Sequence, residues 1–478
     1  MKKKLKRNTM LVWIITFVTF ITTYLVMRFT PAYREIFQNE GNILYKNVLF
    51  EVGIVLFAAL LVFMAGYYIY QFWNKKLIVI PNILAICILM VVTLIISILV
   101  KELSIYLMPV ILIPLVLTFI SDRRTAYIMT IVMTIAILPF VYVEPTIILM
   151  NLFTGLIACV LASKIIQRRD FPILGITLAL CNILVLFAMY TIRGFDFNDF
   201  LKNAGMSAII TFVSVIATIG ALPFFETLSG IISPFELVDL SNPTHKLLKR
   251  LVVEAPGTYY HSIMVGNLAE EAADKIGANP NLARVAAYYH DIGKLKEPLN
   301  FMENQHGENI HDTMNPYDSV RLITAHTTDG VKIAEKYRLP PQIVEIIGEH
   351  HGTTLVAWFY NKACEQAGGS AFIQEEDFRY KAQKPSTKES GIILLADSVE
   401  AATKALTDKS QDKIKERIDK VIDAKIADGQ LDDCPLTIRD IGVVKRQFFK
   451  TINAYYHKRD EYPGTTGNEG ENVEETMK

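Results

Sequence analysis

The sequence has few cysteines, no net charge and no histidine in its first half. Its five cysteines are Cys87, Cys159, Cys181, Cys364 and Cys434. They are scattered without CxxC spacing, so neither a disulfide framework nor a zinc ribbon is supported. The 48 basic and 48 acidic residues balance, and the composition predicts no nucleic-acid surface. With 478 residues, the chain is long enough for at least two folding units.

The first half of the chain is dominated by long apolar stretches. A membrane-spanning helix needs roughly 20 mainly apolar residues, because lipid offers no partner for backbone polar groups. Eight stretches are predicted to span, near residues 10–29, 48–72, 77–99, 105–121, 126–143, 146–165, 172–192 and 205–227. The sequence therefore predicts a multi-span membrane domain over residues 1–228.

Basic residues occupy every second boundary between these stretches. The opening MKKKLKR, the pair Lys75 and Lys76, the pair Arg123 and Arg124, and a cluster ending at Arg169 lie on one side. Short loops rich in Lys and Arg stay in the cytoplasm, so both termini are expected there. A cleaved signal peptide is the alternative for the first span, but no A-x-A site follows it.

The predicted spans hold few polar groups. Asn82, Asn151 and Asn182 lie at membrane depth, but no ladder of Asp, Glu, Lys or Arg marks an ion or proton path. We expect these asparagines to form hydrogen bonds between helices. A transporter is therefore disfavoured.

The second half reads as a soluble helical protein. Residues 229–255 form a predicted connector with helix breaks at Pro234 and Pro243, and residues 256–458 show helical periodicity. The tail, 459–478, is acidic and Gly-rich and is expected to be disordered. The predicted fold class is all-α, with a polytopic membrane domain followed by a cytoplasmic helical domain.

Seven of the nine histidines lie between residues 261 and 351, and several extend apolar helix faces. His290 continues a buried stripe in "AAYYHDIGKL", where Gly293 is predicted to end the helix. His350 and His351 extend the stripe of "PPQIVEIIGEHHG", and Asp397 falls within "GIILLADSVEAA". His261 and His326 follow the same pattern on two further segments.

Burying an unpaired carboxylate costs several kcal/mol, so such groups are paired, protonated or bound to metal. No Arg or Lys lies on the same predicted stripes to neutralise Asp291 and Asp397. Five His and two Asp are more ligands than one tetrahedral zinc ion can bind. The lack of Cys among them favours a pair of ions such as Mn or Fe. A second pair, His311-Asp312, has no apolar stripe and is interpreted as structural or lid-forming.

The ordered motifs resemble the expanded H…HD…H…HH…D version of the HD-domain phosphohydrolase superfamily. "APGTYYHS", "HDIGKL", "NPYDSVRLITAHTTDGVKIAEKY", "GEHHGTTLVAWFY" and "LADSVEAA", with the membrane block, are similar to the seven-transmembrane HD family of bacterial cyclic-di-AMP phosphodiesterases. The resemblance covers nearly the whole chain. It implies a multi-pass protein of the bacterial cell membrane.

The resemblance also implies the roles of the site residues. Asp291 would bridge two ions; His261, His290 and Asp397 would complete one site, and His326, His350 and His351 the other. Two such metals share a water, lower its pKa and present hydroxide to phosphorus. By its position one helical turn beyond His290, Lys294 is expected to reach the phosphate and stabilise its charge, with a solvated surface lysine as the alternative. The implied reaction is hydrolysis of cyclic di-AMP to 5′-pApA.

Substrate contacts are assigned to the basic segment before Asp397, "FRYKAQKPSTKES". Arg379, Tyr380, Lys384 and Lys388 would hold the second phosphate or an adenine, although a solvated basic loop describes the segment equally well. The expected partners are a cyclic dinucleotide, the lipid bilayer and a second copy of the chain, with no nucleic acid. A nucleotide receptor that does not cleave, and an HD nucleotidase for another substrate, are the alternatives.

Two departures from the family pattern stand out. Family members usually carry a large extracytoplasmic domain after the first span, whereas about 18 residues, Thr30 to Asn47, fill that place here. Sensing by such a domain would be lost, while catalysis need not be. The His pair is followed by "HHGTTL" and no GYP motif, which argues against the related HD-GYP subclass that cleaves cyclic di-GMP.

Overall fold

The computed structural model of the chain describes residues 80–121, 123–137, 144–305, 307 and 309–456, together with 52–68 except 54, 58, 62 and 65. The chain divides into two compact units. Met1–Leu240 with Pro340–Gln342 form the first, and Ser241–Leu339 with Ile343–Lys478 form the second. The division falls inside the predicted connector, which contains short helices of its own. The predicted tail lies outside the described residues.

The N-terminal unit consists of apolar helices. After helical residues between 52 and 68, its described helices are α1 Ile80–Lys101, α2 Leu112–Ile120, α3 Arg123–Ala136, α4 Pro145–Ala162, α5 Phe171–Arg193, α6 Phe197–Ser229 and α7 Pro234–Ser241. Side chains such as Ile113, Leu115 and Met129 are fully buried between them. Large apolar side chains also cover the outside, including Leu99 and Ile216. An apolar exterior of this kind suits lipid.

Among the described residues, four helices are long and apolar enough to cross a membrane, namely α1 over its residues Asn82–Lys101, α4, α5 with the residues just before it, and α6. They correspond to four of the eight predicted spans. The predicted spans 105–121 and 126–143 contain the shorter helices α2 and α3. The span at 10–29 lies outside the described residues, and the one at 48–72 lies partly outside them.

The segment 105–121 is not one continuous helix. A single 3-10 turn, Ile105–Leu107, is followed by an extended Met108 before α2 begins at Leu112. Pro109 lies in this break, where its missing N–H would interrupt a helix. The 9 residues of α2 are too short to cross the hydrocarbon layer alone.

Asn182 forms the expected hydrogen bonds between helices. Its Oδ1 accepts from Thr154 Oγ1 at 2.5 Å, and its Nδ2 donates to Thr211 Oγ1 at 2.8 Å. One side chain on α5 thereby joins α4 and α6. The Nδ2 atom of Asn151, in contrast, has no hydrogen-bond partner among the described residues.

The C-terminal unit is all-α, as predicted. Its helices are α8 Lys246–Glu254, α9 Pro256–Lys275, α10 Pro280–Tyr289, α11 Pro316–Lys336, α12 Pro341–Glu349, whose first two residues group with the other unit, α13 Ala357–Gln366, α14 Lys388–Lys404, α15 Gln411–Ala427 and α16 Ile438–Tyr456. Short 3-10 turns fill much of 292–312. Within the described ranges the only β pairing is an isolated antiparallel bridge between Leu355 and Arg379.

Helix α9 is central to this unit, because it packs against α10, α14 and α16. Val265 and Leu268 on its inner face are fully buried. The Ile343 and Ile347 stripe of α12 is likewise buried, as its spacing predicted. The packing of these faces brings polar residues of several helices to one region of the interior.

Candidate metal centre

Five segments contribute the seven His and Asp residues to one cluster. His261 lies in the middle of α9, and His326 in α11. His290 and Asp291 follow the last residue of α10, and His350 and His351 follow α12. Asp397 lies within α14. Residues separated by up to 136 positions are thereby brought within hydrogen-bonding distance of one another.

The seven side chains form two adjacent groups of potential metal ligands. Asp291, His326, His350 and His351 make one group, and His261, His290 and Asp397 make the other. Within each group, one ligand atom from every residue lies within 4.8 Å of the others. The resemblance implies a similar division, in which Asp291 belongs to both sites.

Asp291 lies between the two groups. Its Oδ1 atom is 3.3 Å from His326 Nε2 and 3.7 Å from His350 Nε2. Its Oδ2 atom is 3.3 Å from His290 Nε2 and 3.8 Å from His261 Nε2. Each oxygen of one carboxylate therefore faces a different set of imidazoles.

Hydrogen bonds at Nδ1 fix the orientation of three rings. His290 bonds Ala287 O at 2.6 Å, and His326 bonds Ile323 O at 2.5 Å. His350 bonds the carbonyl oxygen of the residue three positions before it at 2.7 Å. Because a carbonyl only accepts, each Nδ1 carries the proton and each Nε2 presents a lone pair to the centre.

Burial keeps the histidines of the group that contains Asp291 neutral, which is the form that metal ligands need. It lowers the pKa of His326, of His350 to about 3, and of His351 well below its ordinary value, and neighbouring imidazoles add to the effect. Burial would raise the pKa of Asp291, but His290 and Lys294 outweigh it and hold the pKa well below the usual range. Neutral imidazoles and an ionised carboxylate are the ligand forms.

In the other group, His261 Nε2 is 3.0 Å from Asp397 Oδ1. Burial lowers the pKa of His261, but its hydrogen bonds with Asp397 and Glu400 outweigh burial and raise the pKa to about 10. The imidazolium is thus a cation held among carboxylates. A metal cation bound there would balance the charge of these carboxylates in place of the imidazolium. His261 could then be a neutral ligand.

The donor set fits a pair of divalent ions. His290 Nε2 and Asp291 Oδ1 are buried without hydrogen-bond partners among the described residues, which is unusual unless something else satisfies them. Ligands about 2.1 Å from an ion lie roughly 3 to 3.5 Å from one another. The shortest distances from Asp291 oxygens to histidine nitrogens, 3.3 Å to His290 and His326, match that spacing.

The expectation that no basic residue neutralises Asp291 is wrong, because Lys294 pairs with it. Its Nζ lies 2.8 Å from Asp291 Oδ2 and 2.7 Å from Glu303 Oε1. The lysine follows Asp291 by three residues in a 3-10 turn, which turns it toward the carboxylate. Burial would lower the pKa of Lys294, but these two carboxylates raise it, so the side chain is an ammonium at neutral pH.

Glu400 and Glu303 also lie beside the centre, but neither was predicted from the sequence. Glu400 Oε2 accepts a hydrogen bond from His261 Nδ1 at 2.7 Å, and it follows Asp397 by three residues on α14. That i, i+3 spacing in "DSVE" was a usable signal. Glu303 lies in a 3-10 turn and hydrogen-bonds Thr258 and Lys294, and no sequence pattern marked it.

Of the four assigned substrate contacts, the structure places one against the cluster. The ring of Tyr380 stacks on His351 at 4.3 Å between centroids and is buried. Arg379 pairs with Asp428 at 2.8 Å, and Lys384 with Asp432 at 3.2 Å. Lys388 pairs with the carboxylate of Asp440 at 2.9 Å.

The second His-Asp pair lies outside the cluster. His311 is buried, bonds Asn300 O at 2.8 Å and packs edge-on against Phe359, while Asp312 is exposed. This arrangement agrees with a structural role. Gly293 does not end α10, which stops earlier at Tyr289.

Comparison with known proteins places these features in a family. Residues 48–233 match the family described as a 7TM receptor with intracellular HD hydrolase, and residues 258–402 match the HD domain. The chain belongs to this seven-transmembrane HD family. It is accordingly a membrane protein with an HD domain that follows the membrane block.

Relatives of the seven-transmembrane HD chain include two bacterial enzymes. It is 40% identical over 310 residues to cyclic-di-AMP phosphodiesterase PgpH of Bacillus subtilis, covering 64% of this chain and 42% of that protein. It is 40% identical over 315 residues to PgpH of Listeria monocytogenes, covering 65% and 44%. The chain thus spans less than half the length of either relative.

Solved structures of the L. monocytogenes PgpH HD domain are also similar. The chain is 46% identical to that domain alone and to the same domain in complex with cyclic-di-AMP. These matches cover 45% and 46% of this chain and all of the solved chains, each with a TM-score of 0.43.

Proposed function

We propose that this seven-transmembrane HD protein is a metal-dependent phosphodiesterase that hydrolyses cyclic di-AMP to linear 5′-pApA. The names of its relatives support the substrate, and the cluster of His and Asp side chains supports the reaction class. The protein would lie in a bacterial cell membrane with both termini in the cytoplasm. A second copy of the chain is a further predicted partner.

One observation carries the proposal. The two oxygens of Asp291 face two separate sets of imidazoles, each 3.3 Å away at its nearest. An ordinary buried carboxylate would be satisfied by one cation or by several N–H donors. A carboxylate shared between two nitrogen-rich groups is the arrangement that two adjacent divalent ions require.

The proposed ligands are those of the two groups, with Asp291 common to both. Two bound Mn or Fe ions would supply a nucleophile from water at neutral pH and draw charge from the phosphoryl oxygens. The chain's own residues have preparatory roles. The carbonyl oxygens of Ala287, Ile323 and Ile347 hold three rings with Nε2 inward, and Glu400 does so for His261.

Lys294 would assist as a fixed positive charge. An ammonium has three N–H donors, and Asp291 and Glu303 accept two of them. The third can donate to a phosphate oxygen whose negative charge grows in the transition state. Because its pKa is raised, Lys294 would not serve as a proton-accepting base.

Hydrolysis would consume one water for each phosphodiester bond. The water oxygen forms a new bond to phosphorus, and the bond from phosphorus to the 3′ oxygen breaks. The 3′ oxygen takes up a proton and leaves as a hydroxyl, and the 5′ phosphate remains on the other nucleotide. The resulting product is 5′-pApA.

The test uses the full chain in lipid nanodiscs with added Mn²⁺ or, under anaerobic conditions, Fe²⁺. Cyclic di-AMP, cyclic di-GMP, AMP and a guanosine alarmone are incubated separately, and products are separated by chromatography and identified by mass. We expect hydrolysis of cyclic di-AMP to 5′-pApA. Binding without turnover would favour a receptor, and turnover of a mononucleotide or alarmone alone would favour a nucleotidase.

Asp291→Asn is the decisive variant, and Asp312→Asn is its matched control from the second His-Asp pair. Because even residues behind the ligands change activity about 10- to 100-fold, Asp291→Asn is expected to lose more than about 100-fold. The exposed Asp312→Asn should retain the wild-type rate. Equal activity of the two variants would remove the basis for the proposal.

A further inference from the structure

Lys425 is a basic side chain beside the metal centre for which the proposed function has no use. It lies in the last turn of α15, a helix that packs against the Asp397 helix α14. Its Nζ donates to Thr354 Oγ1 at 2.9 Å. No carboxylate within ion-pairing distance of Lys425 is found among the residues that the structure describes.

Thr354 connects Lys425 to the His pair. Its N–H bonds the carbonyl oxygen of His351 at 3.1 Å, and its own carbonyl accepts from Tyr380 N at 3.0 Å. The ring of Tyr380 stacks on His351. Lys425 therefore reaches the short segment that forms one wall of the metal centre.

Neighbouring groups already hold this segment in place. Gln430 Oε1 accepts from Thr353 N at 2.8 Å, and Arg379 Nη1 donates to Thr353 O at 2.8 Å. Arg379 is itself paired with Asp428. We call these contacts of Gln430 and Arg379 with Thr353 the structural clamp. One hydrogen bond from Lys425 to a hydroxyl adds little to it, so the charge of Lys425 needs another explanation.

The electrostatic surroundings favour an anion near Lys425. Burial lowers its pKa to about 8, and the repulsion from Arg379 adds to that, while Asp397 and Asp428 act in the opposite direction. A cation that has lost water without gaining a carboxylate partner is stabilised by an incoming anion. In contrast, Lys384 and Lys388 already have carboxylate partners.

We propose that Lys425 binds a phosphate group of the substrate, namely the one that the metal ions do not hold. The inference deepens the proposed function and rests on it. A cyclic dinucleotide carries two phosphates, and the ions together with Lys294 serve only the one being cleaved. The contact with Thr354 places Lys425 beside the His351 backbone, and there it would supply a cation for the second phosphate.

Two variants separate the charge of Lys425 from its hydrogen bond. Lys425→Gln keeps a donor for Thr354 Oγ1 and removes the charge, whereas Lys425→Arg keeps the charge. Lys415→Gln, an exposed lysine on the same helix, is the matched control. The full chain in nanodiscs with Mn²⁺ is titrated with AMP, which has one phosphate, and with adenosine 3′,5′-bisphosphate, which has two.

For the two-phosphate ligand, Lys425→Gln should weaken binding about tenfold, because a hydrogen bond to a charged group is lost. For AMP the same variant should change binding less than about threefold. Lys425→Arg and Lys415→Gln should bind both ligands as wild type does. The KM for cyclic di-AMP should rise in Lys425→Gln while kcat falls less.

Several results would overturn the proposal. They are wild-type affinity of Lys425→Gln for the two-phosphate ligand, equal weakening for both ligands, loss of bound Mn²⁺, or equal losses in Lys425→Arg. The last three would assign Lys425 to the structural clamp. If the wild type binds the bisphosphate through Lys425 but does not hydrolyse cyclic di-AMP, the anion site stands and the proposed substrate fails.

Discussion

Among single residues, Asp291 has the most constrained surroundings in the C-terminal unit. It is 2% exposed, and three imidazoles and one ammonium lie within 3.7 Å of its oxygens. The sequence predicted the burial, because the stripe of α10 leads directly to His290. It did not predict the Lys294 pair, since a 3-10 turn replaces the helix there and changes which side chains share a face.

Glu400 provides a test at the scale of one side chain. Its carboxylate accepts the Nδ1 proton of His261 at 2.7 Å and thereby orients Nε2. We expect Glu400→Gln to weaken Mn²⁺ binding about 10- to 100-fold, because an amide stabilises the ligating imidazole less than a carboxylate does. Calorimetric titration of the metal-free full chain with Mn²⁺ measures the change.

Glu416→Gln is the control for this experiment, because Glu416 is an exposed glutamate that pairs with Lys413 on the same helix surface. It should bind Mn²⁺ as the wild type does. If Glu400→Gln also kept wild-type affinity, Glu400 would merely fill space behind His261.

The close approach of two elements fixes the geometry around Asp291. The 3-10 turn Ile292–Lys296 packs against α11, and a Cβ added to Gly293 would lie 1.8 Å from His326 O and 2.6 Å from Gly330 N. Both contacts are with backbone atoms, which cannot move aside as a flexible side chain can. Gly293 is therefore required by contact between elements, and the prediction that it ends α10 was wrong.

We expect Gly293→Ala to lower the unfolding free energy of the C-terminal unit by about 1–3 kcal/mol or more, because overpacking forces the backbone apart. The shift would also move Asp291 relative to His326 and weaken metal binding. Thermal unfolding of the full chain, with and without Mn²⁺, measures both effects.

Gly442→Ala serves as the comparison. Gly442 lies within α16, and its added Cβ would meet only the end of the flexible Arg446 side chain, at 3.7 Å. Alanine favours helix over glycine by about 1 kcal/mol, so this variant should be unchanged or more stable. A destabilised Gly442→Ala together with a stable Gly293→Ala would contradict the packing argument.

At the scale of the whole molecule, the centre joins helices that are distant in sequence. The ligands come from α9, α11 and α14 and from the ends of α10 and α12. Bound ions would therefore stabilise the folded C-terminal unit over the unfolded chain by mass action. Without them, the cluster keeps buried polar atoms that lack hydrogen-bond partners among the described residues.

Removal of metal by a chelator should lower the thermal midpoint of the C-terminal unit. A ligand at 100 times its dissociation constant contributes about 2.7 kcal/mol, which corresponds to several degrees for a domain of this size. Circular dichroism of the full chain before chelation, after chelation and after return of Mn²⁺ measures the effect. Asp291→Asn should show a smaller shift, and a midpoint unaffected by chelation would contradict a resident metal.

The sequence by itself determined the features that follow from local pattern. Hydrophobic runs identified the membrane block, 3.6-residue periodicity identified the helices, and the polar ends of buried stripes identified the seven clustered residues. Only the tertiary structure decided what surrounds them. It paired Lys294 with Asp291, placed Glu400 behind His261, and engaged Arg379, Lys384 and Lys388 with carboxylates. Lys425 has no such partner in the part of the chain that the structure describes, and donates to Thr354 instead. Periodicity shows which face of an element is buried, whereas the partners of a charged side chain depend on contacts between distant elements, which no local pattern encodes.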